Sequence, residues 1–210
     1  MNQSMLNLRK IKHNPVLSSL IILCFVMFIL PFYSVETYSI VQNTTSHLGA
    51  QFAPNAWIMN VTFLILGLAC IKESLFYLKT FYFHQICLHL FGVGLIITGI
   101  FQHAPIIEGI SYNVFEDNMH SIFASLVGFS FVLLAFSASF IESKFKYRYL
   151  DIAVALLATL FSIIMASFPE IAGIVQRTMF IMAFTWIHSF THRILNSSFN
   201  IKESKGTSEK

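Results

Sequence analysis

Residues 16–33 read VLSSLIILCFVMFILPFY and contain no charged side chain. A helix that crosses the hydrocarbon core of a bilayer needs about 20 mostly apolar residues, and this stretch comes close to that length. Five more stretches of similar length and character follow. The six predicted spans are residues 16–33, 54–71, 81–102, 119–141, 150–168 and 171–194. The sequence therefore predicts an all-α polytopic membrane protein, a bundle of six transmembrane helices.

The composition excludes several other classes of protein. Of the 210 residues, 56% are apolar, 11% are charged and 23 are Phe, whereas soluble domains are about one quarter charged. A water-soluble enzyme, a disordered chain and a nucleic-acid-binding domain are therefore disfavoured. We expect residues 1–196 to form the transmembrane domain and the polar residues 197–210 a disordered cytoplasmic tail. The first span lacks a small-residue cleavage site after it, which favours a retained helix.

The basic residues predict the orientation of the bundle, because loops rich in Lys and Arg stay in the cytoplasm. With six spans both termini lie on one side, and 12 of the 13 basic residues fall on that side. Only Arg177 falls opposite. We therefore expect a multi-pass protein of the cell membrane with both termini cytoplasmic. The 12 residues are Arg9, Lys10, Lys12, Lys72, Lys79, Lys144, Lys146, Arg148, Arg193, Lys202, Lys205 and Lys210.

Polar residues from several helix ends and loops are expected to meet on the outer side. An arginine inside a span is costly and usually faces the bundle interior. We expect Arg177 to face inward and to pair with a nearby carboxylate, and an anion clamp is the alternative. The residues predicted to line an outer ligand site are Arg177, Glu36, His47, His103, Glu116, Asp117 and His120.

The acidic stretch before His120 has two interpretations. Asp117 or Asn118 can cap the start of the fourth helix, where acids suit the positive end of the helix dipole. Alternatively, His47, His103 and His120 form a metal or proton-transfer site. Because the spacing is not diagnostic of a metal site, we favour the cap and predict no bound metal or other cofactor.

A second group of histidines lies on the inner side. His188 and His192 are spaced i, i+4 on one helical face, and His84 and His89 lie at a similar depth in the third span. They can form an inner cluster, but a headgroup-level position for His192 and an interhelical hydrogen bond from His188 are favoured, because no H-E-x-x-H glutamate is present. Asp151 is interpreted as a helix-start acid beside Arg148.

Several short motifs resemble a known family. TSHLGA at residues 45–50, APNA at 53–56, GIF at 99–101, and Arg177 followed by Trp186 are similar to the domain-of-unknown-function family 998. The six-span autophagy-modulator-like proteins are more distantly similar. Gln102 and His103 follow Phe101 where the family pattern has a proline and an acid. The resemblance implies an integral membrane protein of unassigned activity.

Three functional hypotheses follow. The first is a protein that binds or senses a membrane lipid or small amphiphile at the outer polar site, with no nucleic-acid partner. The second is a metal-dependent membrane lipid hydrolase, because the His188 and His192 pair is similar to that of the alkaline ceramidase superfamily. The third is a proton-coupled transporter, which the lack of an internal repeat disfavours.

The charge asymmetry gives a direct test of topology. Reporter fusions within residues 34–53 and at the C-terminal tail are expected to report opposite sides of the membrane, because the former is predicted to be outside and the latter cytoplasmic. Signals from the same side of the membrane contradict the predicted orientation.

Overall fold

Seven α-helices make up the regular structure of the described residues, apart from two short 3-10 turns. The structure is a computed structural model, and it describes residues 14–107 and 109–208, with side chains as far as residue 195. The helices are α1 (Pro15–Ile29), α2 (Thr45–Leu48), α3 (Ala56–Tyr77), α4 (Tyr82–Ile100), α5 (Val114–Ile141), α6 (Phe145–Ser167) and α7 (Ala172–Ser208). The 3-10 turns cover Leu30–Tyr33 and Pro169–Ile171.

The helix ends follow local sequence signals. Asn14 caps α1 by accepting a hydrogen bond from the Leu17 N–H at 3.0 Å, and Pro15 occupies the first helical position. The cap of α5 is Asn113, whose side chain accepts from the Phe115 and Glu116 N–H groups. The predicted cap at Asp117 or Asn118 is therefore wrong. Because apolar composition marks only the part of a helix inside the membrane, α5 begins five residues before the predicted span.

In the part of the chain that the structure describes, five helical segments are long and apolar enough to cross a membrane: Pro15–Tyr33, Ala56–Tyr77, Tyr82–Ile100, Val114–Ile141 and Phe145–Ser167. The predicted sixth span, within α7, carries more polar residues and lies outside this set. It nevertheless extends over the same height of the bundle. Near its start, Gly173 contacts the loop after α1, and 18 residues later Thr191 contacts Glu73 near the end of α3.

The long helices form a closed bundle. In the order α1, α3, α4, α5, α6 and α7, each packs against the next, and α7 returns to pack against α1 and α3. Aromatic side chains fill the centre, with Phe91 5.7 Å from Phe184 and Phe131 5.7 Å from Trp186 between ring centroids. Large apolar side chains also cover much of the outer surface. An apolar exterior around a packed core is what a helical membrane protein requires.

The two ends of the bundle differ in their connections. The long-loop end carries residues 34–55, residues 101–107 and 109–113, and the turn before α7. The short-loop end carries the connections at residues 78–81 and 142–144. Exposed Tyr33 and Trp57 lie at the long-loop end, and exposed Tyr82 and Tyr149 lie at the short-loop end. Aromatic belts at both ends are typical of membrane-spanning proteins.

Close packing of α3 and α4 depends on two glycines. A Cβ placed at Gly92 lies 2.7 Å from the carbonyl oxygen of Gly67, and one at Gly67 lies 2.4 Å from the carbonyl oxygen of Gly92. Backbone atoms cannot yield as a flexible side chain does. Small residues at such crossings let two helices approach closely.

Gly92→Ala is expected to lower the free energy of unfolding by about 1–3 kcal/mol, because the new methyl group forces α3 and α4 apart. Gly128→Ala on α5 is the matched control, since a Cβ there has nothing within 4 Å. It is expected to have no cost, because alanine favours helix formation. The stabilities of both variants are compared by thermal unfolding in detergent. Equal stability of Gly92→Ala and Gly128→Ala contradicts the role given to close packing of α3 and α4.

Candidate ligand site at the long-loop end

The two long loops are joined by Gln51. Its N–H donates to the His103 carbonyl oxygen at 2.9 Å, and its side-chain amide donates to the Asn113 carbonyl oxygen at 2.9 Å. The Asn113 N–H in turn donates to Gln51 Oε1 at 2.8 Å. Gln51 is buried, so these bonds replace water for both loops. The loops therefore form one folded layer over the end of the bundle.

Arg177 is the largest fully buried side chain of the described residues, which confirms that it faces the bundle interior. Its Nη1 donates to the carbonyl oxygens of Ile40, Asn43 and Gly173, each at 2.9 Å. Its Nε donates to the Met27 carbonyl oxygen at 3.3 Å, and Nη2 donates to the Tyr38 hydroxyl. Arg177 thus binds backbone from α1, the loop after it and α7.

The predicted pairing of Arg177 with Glu36, Glu116 or Asp117 is wrong. No carboxylate of the described residues lies within 4.0 Å of its guanidinium group. Several inward-pointing carbonyl groups supply the negative partial charge instead, because the loop over α7 has no regular structure to satisfy them. A guanidinium group with five donors suits such a set of acceptors.

The first turn of α7 is satisfied by the same loop. The Gly173 N–H donates to the Gln42 carbonyl oxygen and the Ile174 N–H to the Val41 carbonyl oxygen, both at 3.1 Å. These are N–H groups that a helix start leaves without intrahelical partners. A Cβ on Gly173 would lie 2.4 Å from the Asn43 carbonyl oxygen, so only glycine permits this approach. Burial raises the pKa of Tyr38 beside them, and Arg177 opposes that shift.

The three predicted outer histidines come together. The ring centroids of His47 and His103 are 4.7 Å apart, and those of His103 and His120 are 5.2 Å apart. Asp117 lies beside them, with Oδ1 3.7 Å from His103 Nδ1. His103, Asp117, His47 and His120 therefore share one cluster, which we call the histidine cluster.

The remaining predicted site residues lie around this cluster. Glu116 Oε2 accepts from the Gln102 N–H at 3.3 Å, and Asp117 Oδ1 accepts from the Ala104 N–H at 2.8 Å. Both acids thus hold the segment that follows α4. Glu36 lies exposed in the first loop. Within the described residues, no group of three or more His, Cys, Asp or Glu side chains is arranged to hold a metal ion.

His47 is held in its neutral form. Its Nδ1 accepts a hydrogen bond from the Thr44 N–H at 3.1 Å, at the start of α2. Burial lowers the pKa of His47 to about 4, and the neighbouring His103 and His120 add to the shift while Asp117 opposes it. Since Nδ1 is an acceptor, the ring proton lies on Nε2.

An apolar groove opens on the outer face of the bundle at the same end. It lies between α1 and the start of α3 and has a volume of about 320 Å³. Its lining residues are Phe25, Val26, Ile29, Leu30, Tyr33, Asn55 and Ile58. No sequence pattern predicts this groove, because its residues have the same apolar character as other lipid-facing side chains.

The hypothesised inner histidine cluster does not form among the described residues. His188 and His192 are adjacent, with ring centroids 4.6 Å apart. His89 instead contacts the Ser74 hydroxyl at 2.8 Å, and His84 packs beside Phe190 at 6.0 Å. The four rings are therefore divided among different contacts.

Asp151 is a buried residue whose importance the sequence analysis missed. It accepts from Trp186 Nε1 at 2.8 Å and from Arg193 Nη2 at 2.6 Å. The interpretation as a helix-start acid beside Arg148 is wrong, since Arg148 Nε donates to the Glu142 carbonyl oxygen. The i, i+7 spacing of Trp186 and Arg193 was the available signal, because it places both on one face of α7.

Glu73 is also fully buried, although it follows Lys72 just beyond the predicted span of residues 54–71. Its Oε1 accepts from the Thr191 hydroxyl at 2.8 Å and from the Asn14 side-chain amide at 3.2 Å. It thereby ties α3 to both α7 and the start of α1. No feature of the local sequence distinguishes it from an exposed headgroup-level acid.

The closed bundle, its apolar exterior and its aromatic belts define a polytopic helical membrane protein. A family model described as "Protein of unknown function (DUF998)" matches residues 20–193, so the chain belongs to that family. This confirms the resemblance seen in the sequence motifs. Neither the search of curated proteins nor that of solved structures found a match.

Arg177→Met is expected to lower the free energy of unfolding by at least about 3 kcal/mol. Several buried carbonyl groups lose their donor, and each costs about 1–3 kcal/mol. Arg177→Lys is expected to recover little of this, because an ammonium group cannot reach the same set of acceptors. Denaturant unfolding in detergent measures the difference.

Arg148→Met is the matched control, because Arg148 makes one hydrogen bond to a carbonyl group near the membrane surface. Its expected cost is about 1 kcal/mol or less. Wild-type stability in Arg177→Lys shows that charge alone suffices and contradicts the role given to the guanidinium geometry.

Proposed function

We propose that this membrane protein binds a membrane lipid or a small amphiphile at the long-loop end. The observation that carries the proposal is the open groove between α1 and α3. Its volume of about 320 Å³ lies at the lower end of the range typical of ligand pockets, about 300–1,000 Å³. Its walls are almost entirely apolar, which suits an acyl chain.

The location of the groove favours a lipid as its occupant. It faces outward from the bundle, where the hydrocarbon of the bilayer surrounds the protein. Tyr33 and Asn55 lie at its end, and the Asn55 side-chain amide donates to the Tyr33 carbonyl oxygen at 3.3 Å. An amphiphile is divided in the same way as the groove, because its apolar chain lies in the membrane and its polar group lies at the membrane surface.

The predicted outer site supplies groups for the polar part of the ligand. Among its members, Glu36 is exposed, and the side chains of His103 and Asp117 are 27% and 21% exposed. These three residues are proposed to meet the headgroup. Of the other four, His47 and Glu116 are half-buried, and His120 and Arg177 are buried.

The basic asymmetry of the sequence supports an orientation with both termini in the cytoplasm. In that orientation the long-loop end faces outward from the cell. The proposed ligand then comes from the outer leaflet or the external medium, and the two sources share the same amphiphilic chemistry.

A phosphatidylcholine with a diazirine in its acyl chain tests the groove in nanodiscs that contain the full chain. Ile58→Trp fills the groove and is expected to remove most photo-cross-linking to α1 residues 25–30. Ile65→Trp is the matched control, because it lies seven residues further along the same exposed face of α3, outside the groove. Cross-linking is expected to persist in this control.

Equal cross-linking in wild type and Ile58→Trp contradicts the proposal, since it shows that lipid contacts this face without occupying the groove. Uniform cross-linking along the whole outer surface of α1 also contradicts it.

A further inference from the structure

Ser46 and His120 form a hydrogen-bonded pair inside the histidine cluster. The Ser46 hydroxyl lies 3.0 Å from His120 Nε2, although the two residues are 74 positions apart in the chain. Both residues are buried. The ring of His103 packs edge-on against His120 and reaches the surface, so it covers the pair.

The direction of this hydrogen bond is fixed by the other ring nitrogen. His120 Nδ1 lies 3.0 Å from the Thr98 carbonyl oxygen and 2.9 Å from that of Phe101. Carbonyl oxygens only accept, so Nδ1 carries the proton and Nε2 has a free lone pair in the neutral ring. The Ser46 hydroxyl therefore donates its proton to Nε2. This is the arrangement of a nucleophile and its general base.

The two carbonyl groups act as the orienting member of the site. Thr98 and Phe101 lie at the C-terminal end of α4, where carbonyl groups lack intrahelical donors. They hold the ring in one tautomer. The negative end of the helix dipole also stabilises an imidazolium ion, which forms when His120 takes the serine proton. In a catalytic triad a carboxylate has both tasks.

A second serine–histidine contact in the same protein has the opposite hydrogen-bond direction, so proximity alone does not make the serine the donor. Ser74 lies 2.8 Å from His89 Nδ1, but its hydroxyl donates to the Ile71 carbonyl oxygen at 2.9 Å. His89 Nδ1 also faces the Gln85 carbonyl oxygen at 2.9 Å, so Nδ1 carries the proton. His89 therefore donates to Ser74 and cannot take its proton through that nitrogen.

We propose that Ser46 and His120 form a metal-independent acyl-transfer site whose substrates are carboxylic esters. Ser46 Oγ bonds to the ester carbonyl carbon while His120 Nε2 takes the hydroxyl proton. The bond from the acyl carbon to the alkoxy oxygen then breaks, and His120 returns the proton to the departing alcohol. Water, activated by the same ring, cleaves the acyl-serine and releases a carboxylic acid. No oxidant, reductant or cofactor enters this balance.

His47 adds a donor within the histidine cluster, where its ring packs beside that of His103. Because its Nδ1 accepts from Thr44, its Nε2 carries a proton, and this N–H has no hydrogen-bond partner in the described part of the chain. It is available to an oxyanion that develops on the substrate. The site lies at the loop-covered end of the bundle, which suits an amphiphilic ester with its polar group at the membrane surface.

A fluorophosphonate probe tests the proposal on the purified full chain in detergent. Such a probe forms a bond from serine oxygen to phosphorus and expels fluoride, provided that a base takes the serine proton. The expected result is covalent labelling of Ser46, located by peptide mass spectrometry. Ser46→Ala is expected to lose the label, and Ser74→Ala, the matched control, is expected to keep it.

The role of His120 is measured by the labelling rate. His120→Gln lacks the base and is expected to react about 100-fold or more slowly, as loss of a general base predicts. Hydrolysis of p-nitrophenyl butyrate is expected to fall in parallel. His103→Ala removes the ring that packs against His120, and its Ser46 is expected to react with the probe faster than that of wild type. This variant provides a result even if His103 closes the wild-type site to the probe. It also provides one if His120→Gln fails to fold.

The proposal is overturned if neither folded wild type nor folded His103→Ala is labelled at Ser46, or if folded His120→Gln is labelled at the wild-type rate. Ser46 does not line the groove, so Ser46→Ala is expected to lose the label and to keep the photo-cross-link to α1. The outcome is therefore distinguishable from that of the lipid-binding proposal.

Discussion

The burial of Arg177 is the constraint on which the long-loop end depends. A guanidinium group inside a membrane protein is costly unless its donors are satisfied, and here the acceptors are backbone carbonyl groups from three parts of the chain. Satisfying the arginine therefore fixes the end of α1, the first loop and the start of α7 together. That loop leads directly into α2, which carries Ser46 and His47 to His120 on α5. The hydrogen bonds that satisfy Arg177 therefore also determine where the histidine cluster lies.

The helix α7 is held at both ends, by different chemistry at each. At the long-loop end its arginine binds carbonyl groups. At the short-loop end Arg193 and Trp186 bind the buried carboxylate of Asp151, and Thr191 binds that of Glu73. These polar side chains lower the hydropathy of α7 below that of the other spans, and they are also what joins it to α1, α3 and α6. Its weaker membrane signal and its central structural role have the same cause.

The long-loop end combines an apolar groove that faces the bilayer with a polar layer above it. Its polar groups differ in availability. Arg177 is fully buried beneath the loop, whereas His103 and Asp117 reach the surface. The pair of Ser46 and His120 is buried beside His103, and the carbonyl groups at the end of α4 set the direction of its hydrogen bond. The proposed lipid binding and the proposed acyl transfer therefore share His47, His103 and His120, whereas the groove serves only the first and Ser46 only the second.

The sequence by itself determined the class of fold and the number of long helices, and it placed His47, His103 and His120 at the same end of the bundle. Hydropathy is a local property, so runs of about 20 apolar residues predict spans without knowledge of their neighbours. Which groups a buried polar side chain contacts is not a local property of the sequence. Arg177 was matched with carboxylates because charge is visible in a sequence, whereas free carbonyl groups of an irregular loop are present at every residue. Asp151 and Glu73 resembled surface acids for the same reason. Only the tertiary structure decides which backbone groups remain unsatisfied and which helix covers a carboxylate, because both depend on how distant segments pack.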